Sequence, residues 1–185
     1  MNASRGPAIG MAGGAWFHPL DPRPAEVKIE DIAHALANIC RFGGRTSRFY
    51  SVAQHSMWVA RHASTRQAAL YGLLHDAAEA YIGDVISPLK QALFFWPEEQ
   101  LAPTKFETIE RGVMWAIYEG LGLAEPTAAI TSEVKDLDAK ALSVEARELL
   151  GDPKWEGLVP CDWPLEAEHP LLAKQQFLDM FEVLR

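Results

Sequence analysis

The stretch Tyr71-Gly72-Leu73-Leu74-His75-Asp76-Ala77-Ala78-Glu79-Ala80-Tyr81-Ile82-Gly83-Asp84 decides how the rest of the chain is read. Leu70, Leu73, Leu74, Ala77, Ala78 and Tyr81 recur at steps of three and four, the signature of a helix buried along one broad face. An imidazole and two carboxylates interrupt that apolar run. The spacing predicts one helix, with His75 and Glu79 a turn apart and Asp76 about 100° round from His75, so that all three converge at a helix edge. Gly83 then lets the chain leave the helix and project Asp84 toward the same end. Adjacent His-Asp pairs do occur by chance, and a helix interior can hold a hydrogen-bonded histidine that binds nothing. Buried carboxylates, however, are costly unless paired or ligated, and a cation satisfies all three groups together. The run therefore sends the reading outward, to further ligands.

With 185 residues, 49% of them hydrophobic, the chain is long enough for one well-packed domain and too short for two large ones. Residues 1–28, rich in Gly and Pro, read as an irregular arm, and 29–185 as the domain. A net charge of −8 and a pI near 5.2 argue against a surface that grips polymeric nucleic acid or a membrane of anionic lipid. A small anionic substrate held by a few local cations stays open. Cys40 and Cys161 lie far apart and suggest neither a disulfide framework nor a zinc knuckle. The start of the chain makes a poor signal-peptide core, and no segment approaches the roughly 20 apolar residues of a membrane span. A cytoplasmic protein is expected.

Helices are expected at four further places before the last third of the chain. Ile32, Ala33, Leu36, Ile39 and Cys40 give a helical period from Ile29, with Glu30 and Asp31 at its positive end and Gly43-Gly44 as its stop. Arg41 and Phe42 fall at that helix end, ahead of a polar loop with Arg45 and Arg48. Ser51-Val52-Ala53-Gln54 reads as a capping box opening a helix to about Ala63, with His55 in its first turn. A short turn near Ser64 and Thr65 makes it a neighbour of the His75-Asp76 helix. Ser87-Pro88 starts a short helix through Leu89, Leu93 and Phe94 to Pro97, and Thr104-x-x-Glu107 caps one with Phe106, Ile109, Val113, Ile117 and Leu121 inward.

Pro126 opens a helix running to Gly151, with Ile130, Val134, Leu137, Ala141 and Leu142 inward and Asp138 beside that stripe. A Pro-rich loop over 151–169 precedes a last helix from Pro170 carrying Leu171, Leu178, Phe181 and Leu184. No convincing alternating strand and no internal repeat is visible, so the expected class is all-α. His18, His34, His62 and His169 have no partner at ligand spacing, and the tryptophans read as core or interface. Phe94-Phe95-Trp96 cannot all face one core, so one is expected to meet a partner subunit.

Taken together, His55, His75-Asp76 and Asp138 form an H…HD…D pattern on three helical segments. It resembles the HD-domain metal-dependent phosphohydrolases, in which those four residues bind one divalent cation within an all-helical bundle. Lys135-x-x-Asp138-x-x-Ala141-Leu142-x-x-Glu145 is similar to that family's last ligand-bearing helix. Arg41-Phe42, Glu79 and Gly83-Asp84-x-x-x-Pro88-x-Lys90 resemble a narrower branch, the small 5′-deoxynucleotidases and related short HD proteins of phages. Those carry Arg-Trp where this chain has Arg41-Phe42, and their loop to the first histidine is one residue longer. The resemblance covers roughly Ile29 to Leu150. It implies that Arg41 meets the phosphate, that Phe42 stands where the Trp packs near the sugar, and that homodimers or larger homo-oligomers form.

Two imidazoles and two carboxylates suit a borderline or harder cation such as Zn, Mn, Co or Mg and leave positions for water and a phosphate oxygen. No histidine lies between Asp76 and Asp138, whereas binuclear members of the wider family place extra ones there, so one metal is expected. The expected reaction is hydrolysis of a nucleotide's 5′ phosphate ester, favoured as a deoxynucleoside 5′-monophosphatase. Arg41 steadies phosphate oxygens, Glu79 handles a proton or positions water, and Asp84 orients water or the leaving oxygen. Arg45 and Lys90 are further candidates for binding substrate. Against these stand plainer roles: Glu79 as support for a metal-ligating histidine, Asp84 as a turn former, and Arg45 and Lys90 as solvated charges. Rival readings are a small phage-type deoxynucleoside triphosphate triphosphohydrolase releasing tripolyphosphate, and a noncatalytic helical module knitted by its metal. A cyclic-nucleotide or alarmone hydrolase is disfavoured by the lack of extra histidines and of an adjacent Glu-Asp pair.

Overall fold

Acids at the positive end and an apolar face of Ile32, Ala33, Leu36 and Ala37 make α1 (Ile29–Asn38) an amphipathic helix with one side buried. In the computed structural model, which describes residues 5–95, 103–151 and 165–185, α1 packs against α2 (Val52–Arg61), α4 (Glu79–Ile82) and α8 (Pro170–Leu184). The main core joins these helices around Leu73, Leu74, Ile117, Phe177 and Phe181. The described residues are mostly helical. Among the described residues, strands are limited to two short antiparallel pairs, β1 (Ile9–Gly10) with β2 (Trp16–Phe17) and β3 (Phe94–Phe95) with β4 (Thr104–Lys105). The fold is all-α in that coarse sense.

Three local features bring the central helices together. The capping box at Ser51 is present in full: the Ser51 hydroxyl accepts from the Gln54 amide at 3.2 Å, and the Ser51 amide donates to Gln54 Oε1 at 3.1 Å. Thr65 caps α3 (Arg66–Leu74) through the Ala68 amide, and the short connection folds α3 onto α2. Gly72 makes that approach possible. A Cβ there would stand 3.1 Å from Val59 Cγ1 and 3.4 Å from the Ala60 backbone. α3 also packs on α7 (Ala128–Glu145), whose N-cap Thr127 accepts from the Ile130 amide. A π-helical turn, Ala146–Leu150, and a left-handed Gly151 end that segment.

Several sequence expectations are corrected. The predicted single helix across His75-Asp76 breaks: α3 ends at Leu74 and α4 begins at Glu79. His75 Nδ1 donates to the Gly72 carbonyl at 2.7 Å, taking the acceptor that the Asp76 amide would use in a continuing helix. The next bonds, Ala77 amide to Leu74 and Glu79 amide to Asp76, are tighter three-residue turns. The helix from Ser87, α5 (Ser87–Lys90), stops well before Phe94. Phe94 and Phe95 instead pair with Thr104 and Lys105, as aromatic residues favour, so Thr104 is no helix cap. α6 (Phe106–Gly120) begins on an N-cap with no side-chain bond.

The N-terminal segment is less irregular than its Gly and Pro content suggests. Phe17 of β2 is fully buried and stacks on Tyr81 at 3.8 Å between ring centroids, and the Gly13 amide donates to buried Asp31. Val134, Leu137 and Ala141 face the core as expected, but Leu142, expected inward with them, is exposed. In the last helix Ala173, Phe177 and Phe181 are buried and Leu171 is exposed. Trp16 and Trp115 are exposed, and Trp58 is buried. Trp96 and Pro97, most of the proline-rich 151–169 loop, Cys161 and the tryptophans at 155 and 163 lie outside the described residues. No helix among the described residues is long and apolar enough to cross a membrane.

Candidate metal centre between two clefts

His55 sits in the first turn of α2, His75 and Asp76 in the tight turn after α3, and Asp138 in the middle of α7. The packing of α3 against both α2 and α7 brings them to one place. His55 Nε2 lies 3.2 Å from His75 Nε2, 3.5 Å from Asp76 Oδ2 and 3.1 Å from Asp138 Oδ1. His75 Nε2 is 3.3 Å from Asp76 Oδ2 and 3.8 Å from Asp138 Oδ1. Donor atoms of His55, His75 and Asp138 all fall within 4.8 Å of one another, a spacing that can hold a metal ion. Asp76 Oδ2, close to both rings, stands beside that group.

The outer edges of both rings are already committed. His75 Nδ1 meets a backbone carbonyl, which can only accept, so the proton is on Nδ1 and the lone pair on Nε2 points inward. His55 Nδ1 donates to Glu145 Oε1 at 2.7 Å, which sets the same tautomer. Two ring lone pairs 3.2 Å apart beside two carboxylates call for a positive charge between them. A proton on His55 is one answer. Against burial and the charge of Arg41, the charge of Glu145 and hydrogen bonds to Asp138 and Glu145 push His55 up to about 9. A divalent cation is the other, and the mixed nitrogen and oxygen donor set fits one.

Glu145 is the residue the sequence reading did not assign. It is buried at 1% exposure and receives three bonds: one from His55 and two from Arg41, whose Nε and Nη2 lie 3.2 and 3.1 Å from Oε2. Despite burial, the charges of His55 and Arg41 keep its carboxyl below the ordinary range. The available signal was its position seven residues after Asp138, on the same face of α7. Arg41, also buried, thus spends one edge on Glu145 and turns Nη1 toward Asp76 Oδ2 at 3.6 Å.

Beside these groups opens a cavity of about 360 Å³ that collects the other expected site residues: Phe42, Arg45, Glu79, Asp84 and Lys90, together with Arg41. Phe42 adopts a left-handed backbone, φ 56°, that costs a residue with a side chain about 1–2 kcal/mol. Its ring lies 5.5 Å from the Arg41 guanidinium carbon. Gly83, at φ 79°, makes the turn that carries Asp84 into this cavity. Lys90 is not a solvated charge: it binds Glu110 at 2.8 Å and lies 3.6 Å from Glu79. Arg48 instead donates to the Leu165 carbonyl and takes no part.

Glu79 is buried, and its Oε2 has no hydrogen-bond partner among the described residues. Burial, with the charges of Asp76 and Asp84, pushes its carboxyl up to about 9 against the pull of Lys90 and Arg41. It is therefore a proton carrier in the metal-free protein. Asp138 behaves oppositely: despite burial, the two imidazoles beside it, His55 first, hold it far below the ordinary range. A second cavity, about 480 Å³, is also lined by Asp76 and Asp138 and lies against α6 and α7.

No family model matches the chain. Over 124 residues it is 36% identical to the uncharacterized protein YfdR of Escherichia coli, an alignment covering 67% of this chain and 62% of that protein. Over 150 residues it is 33% identical to the uncharacterized protein RCAP_rcc00048 of Rhodobacter capsulatus, covering 76% of this chain and 72% of that one. The chain belongs to the family of this R. capsulatus protein. It spans less than two thirds of YfdR. The alignment with RCAP_rcc00048 is long enough to take in most of a domain of this size, while neither relative carries a named reaction to transfer.

Proposed function

We propose that this chain is a divalent-metal-dependent phosphohydrolase of the HD-domain type, acting on the 5′ phosphate ester of deoxynucleoside monophosphates. The observation that carries the proposal is the inward pairing of His55 and His75 Nε2 with Asp76 and Asp138, at the edge of a cleft holding Arg41, Arg45 and Lys90. His55, His75, Asp76 and Asp138 would hold the ion. A bound divalent cation supplies an acidified water and neutralises phosphate charge.

The chain's own groups do the rest. Arg41, fixed by Glu145, offers Nη1 toward the carboxylates and can steady a phosphate oxygen without losing its anchor. Glu79, with an unbonded carboxyl oxygen, holds or takes a proton beside the reacting group, and Asp84 orients water in the same cleft. Glu145 keeps His55 in the ligating tautomer. The test is a metal-supplemented screen of ribo- and deoxynucleoside mono- and triphosphates with product identification. Free phosphate and deoxynucleoside from a monophosphate support the proposal. Intact tripolyphosphate from a triphosphate would favour the triphosphohydrolase reading, and no turnover with any metal would leave only a helical module.

A further inference from the structure

The two cavities share Asp76 and Asp138 but differ in character. The first gathers cations, Arg41, Arg45 and Lys90, with Glu79 and Asp84. The second is walled by Tyr71, Met114, Tyr118, Ile130 and Val134, and its charged residues other than His75, Asp76 and Asp138 are two acids and two bases. Its walls are firm: Tyr71 donates to the Ala124 carbonyl at 2.7 Å, and Tyr118 stands edge-on to Tyr71 at 5.6 Å between centroids. The shared carboxylates therefore lie at a boundary between an anion-binding cleft and an aromatic, largely apolar one.

Asp76 and Asp138 line both clefts, so one substrate can reach from the cationic cleft into the aromatic one across them. A planar base with an apolar face is the part of a nucleotide that suits tyrosine and aliphatic walls.

We infer that the substrate straddles the metal carboxylates, with its phosphate on the Arg41 side and its nucleobase in the Tyr71–Tyr118 cleft between α6 and α7, away from Phe42. This rests on the proposed nucleotide hydrolysis. It makes α6 and α7, not the Arg41–Phe42 turn, the elements that select the base.

Thr131 and Ile130 line the second cleft and are only partly buried, so a larger side chain at either position fills it from its edge. The reading is the ratio of kcat/KM for the deoxynucleotide cleaved fastest in the screen to that for base-free 2-deoxyribose 5-phosphate. Thr131→Trp is expected to lower that ratio by about tenfold or more, the scale of a lost base–aromatic contact. Ile130→Trp is the second variant and is expected to do the same. Ratios within about threefold of wild type in both folded variants, with a fall in Phe42→Ala, would overturn the cleft assignment while nucleotide hydrolysis stands. A wild-type protein that cleaves sugar phosphate but no nucleotide would overturn both.

Discussion

At the scale of single residues, the site is governed by which polar atoms already have partners. Glu145 binds Arg41 and His55 at once, so it neutralises a buried guanidinium and orients a candidate metal-binding ring. Glu145→Ala leaves both without their acceptor. It is expected to cost about 3–5 kcal/mol in chemical unfolding, since one partner of a buried pair is removed. Glu145→Gln keeps an acceptor and is expected to fold, with metal affinity weakened about 10- to 100-fold in titration calorimetry. Glu79 gives a pH signature. Its folded carboxyl sits at about 9 against an ordinary 4.5, so between those values the folded protein keeps a proton that the unfolded chain has released. Its stabilising share is full below 4.5 and is lost as pH rises through 9. Metal-free protein should therefore lose stability from about pH 5 to about pH 9, and Glu79→Gln should make that fall shallower. The raised His55 contributes a fall of the same sign, so the slope is reduced and not abolished. An identical slope in the variant would contradict the assignment.

At the scale of elements, the site depends on how closely α3 approaches α2. Gly72 lies against Val59 and Ala60, three residues before His75, so any side chain there pushes the second histidine away from the first. Gly72→Val is expected to destabilise by about 1–3 kcal/mol and to weaken metal binding together with stability, read as a lower Tm and a higher metal Kd. A Gly72→Val protein with unchanged metal affinity would show that the two helices do not set the ligand spacing. This scale also separates what the sequence reveals from what it conceals. The capping box at Ser51 marked α2, and apolar stripes marked α1 and α7, because these causes are local. The break after Leu74 was hidden because the apolar period runs on through Ala77, Ala78 and Tyr81, while its cause is a side-chain bond from His75 to Gly72. The β3–β4 pair and the burial of Phe17 were hidden because each depends on a partner distant in sequence.

At the scale of the whole molecule, the candidate ligands come from α2, the turn after α3, and α7, and packing around one core closes them on a common point. His55, His75, Asp76 and Asp138 stand out in the sequence only together, as one H…HD…D pattern, since a lone His-Asp pair on a helix has plainer uses, and the fold brings them near one point. Glu145 was harder to read, since its only mark is its place seven residues after Asp138 and nothing local points to the arginine 104 residues away that it neutralises. On the proposed function, these four side chains grip one ion. Metal-stripped protein equilibrated with manganese, cobalt or zinc and freed of excess should retain one ion per chain by elemental analysis. His75→Ala and Asp138→Ala, folded by circular dichroism, should retain almost none. Wild-type protein without metal under every supplement, or an undiminished ion in those two variants, would contradict the account.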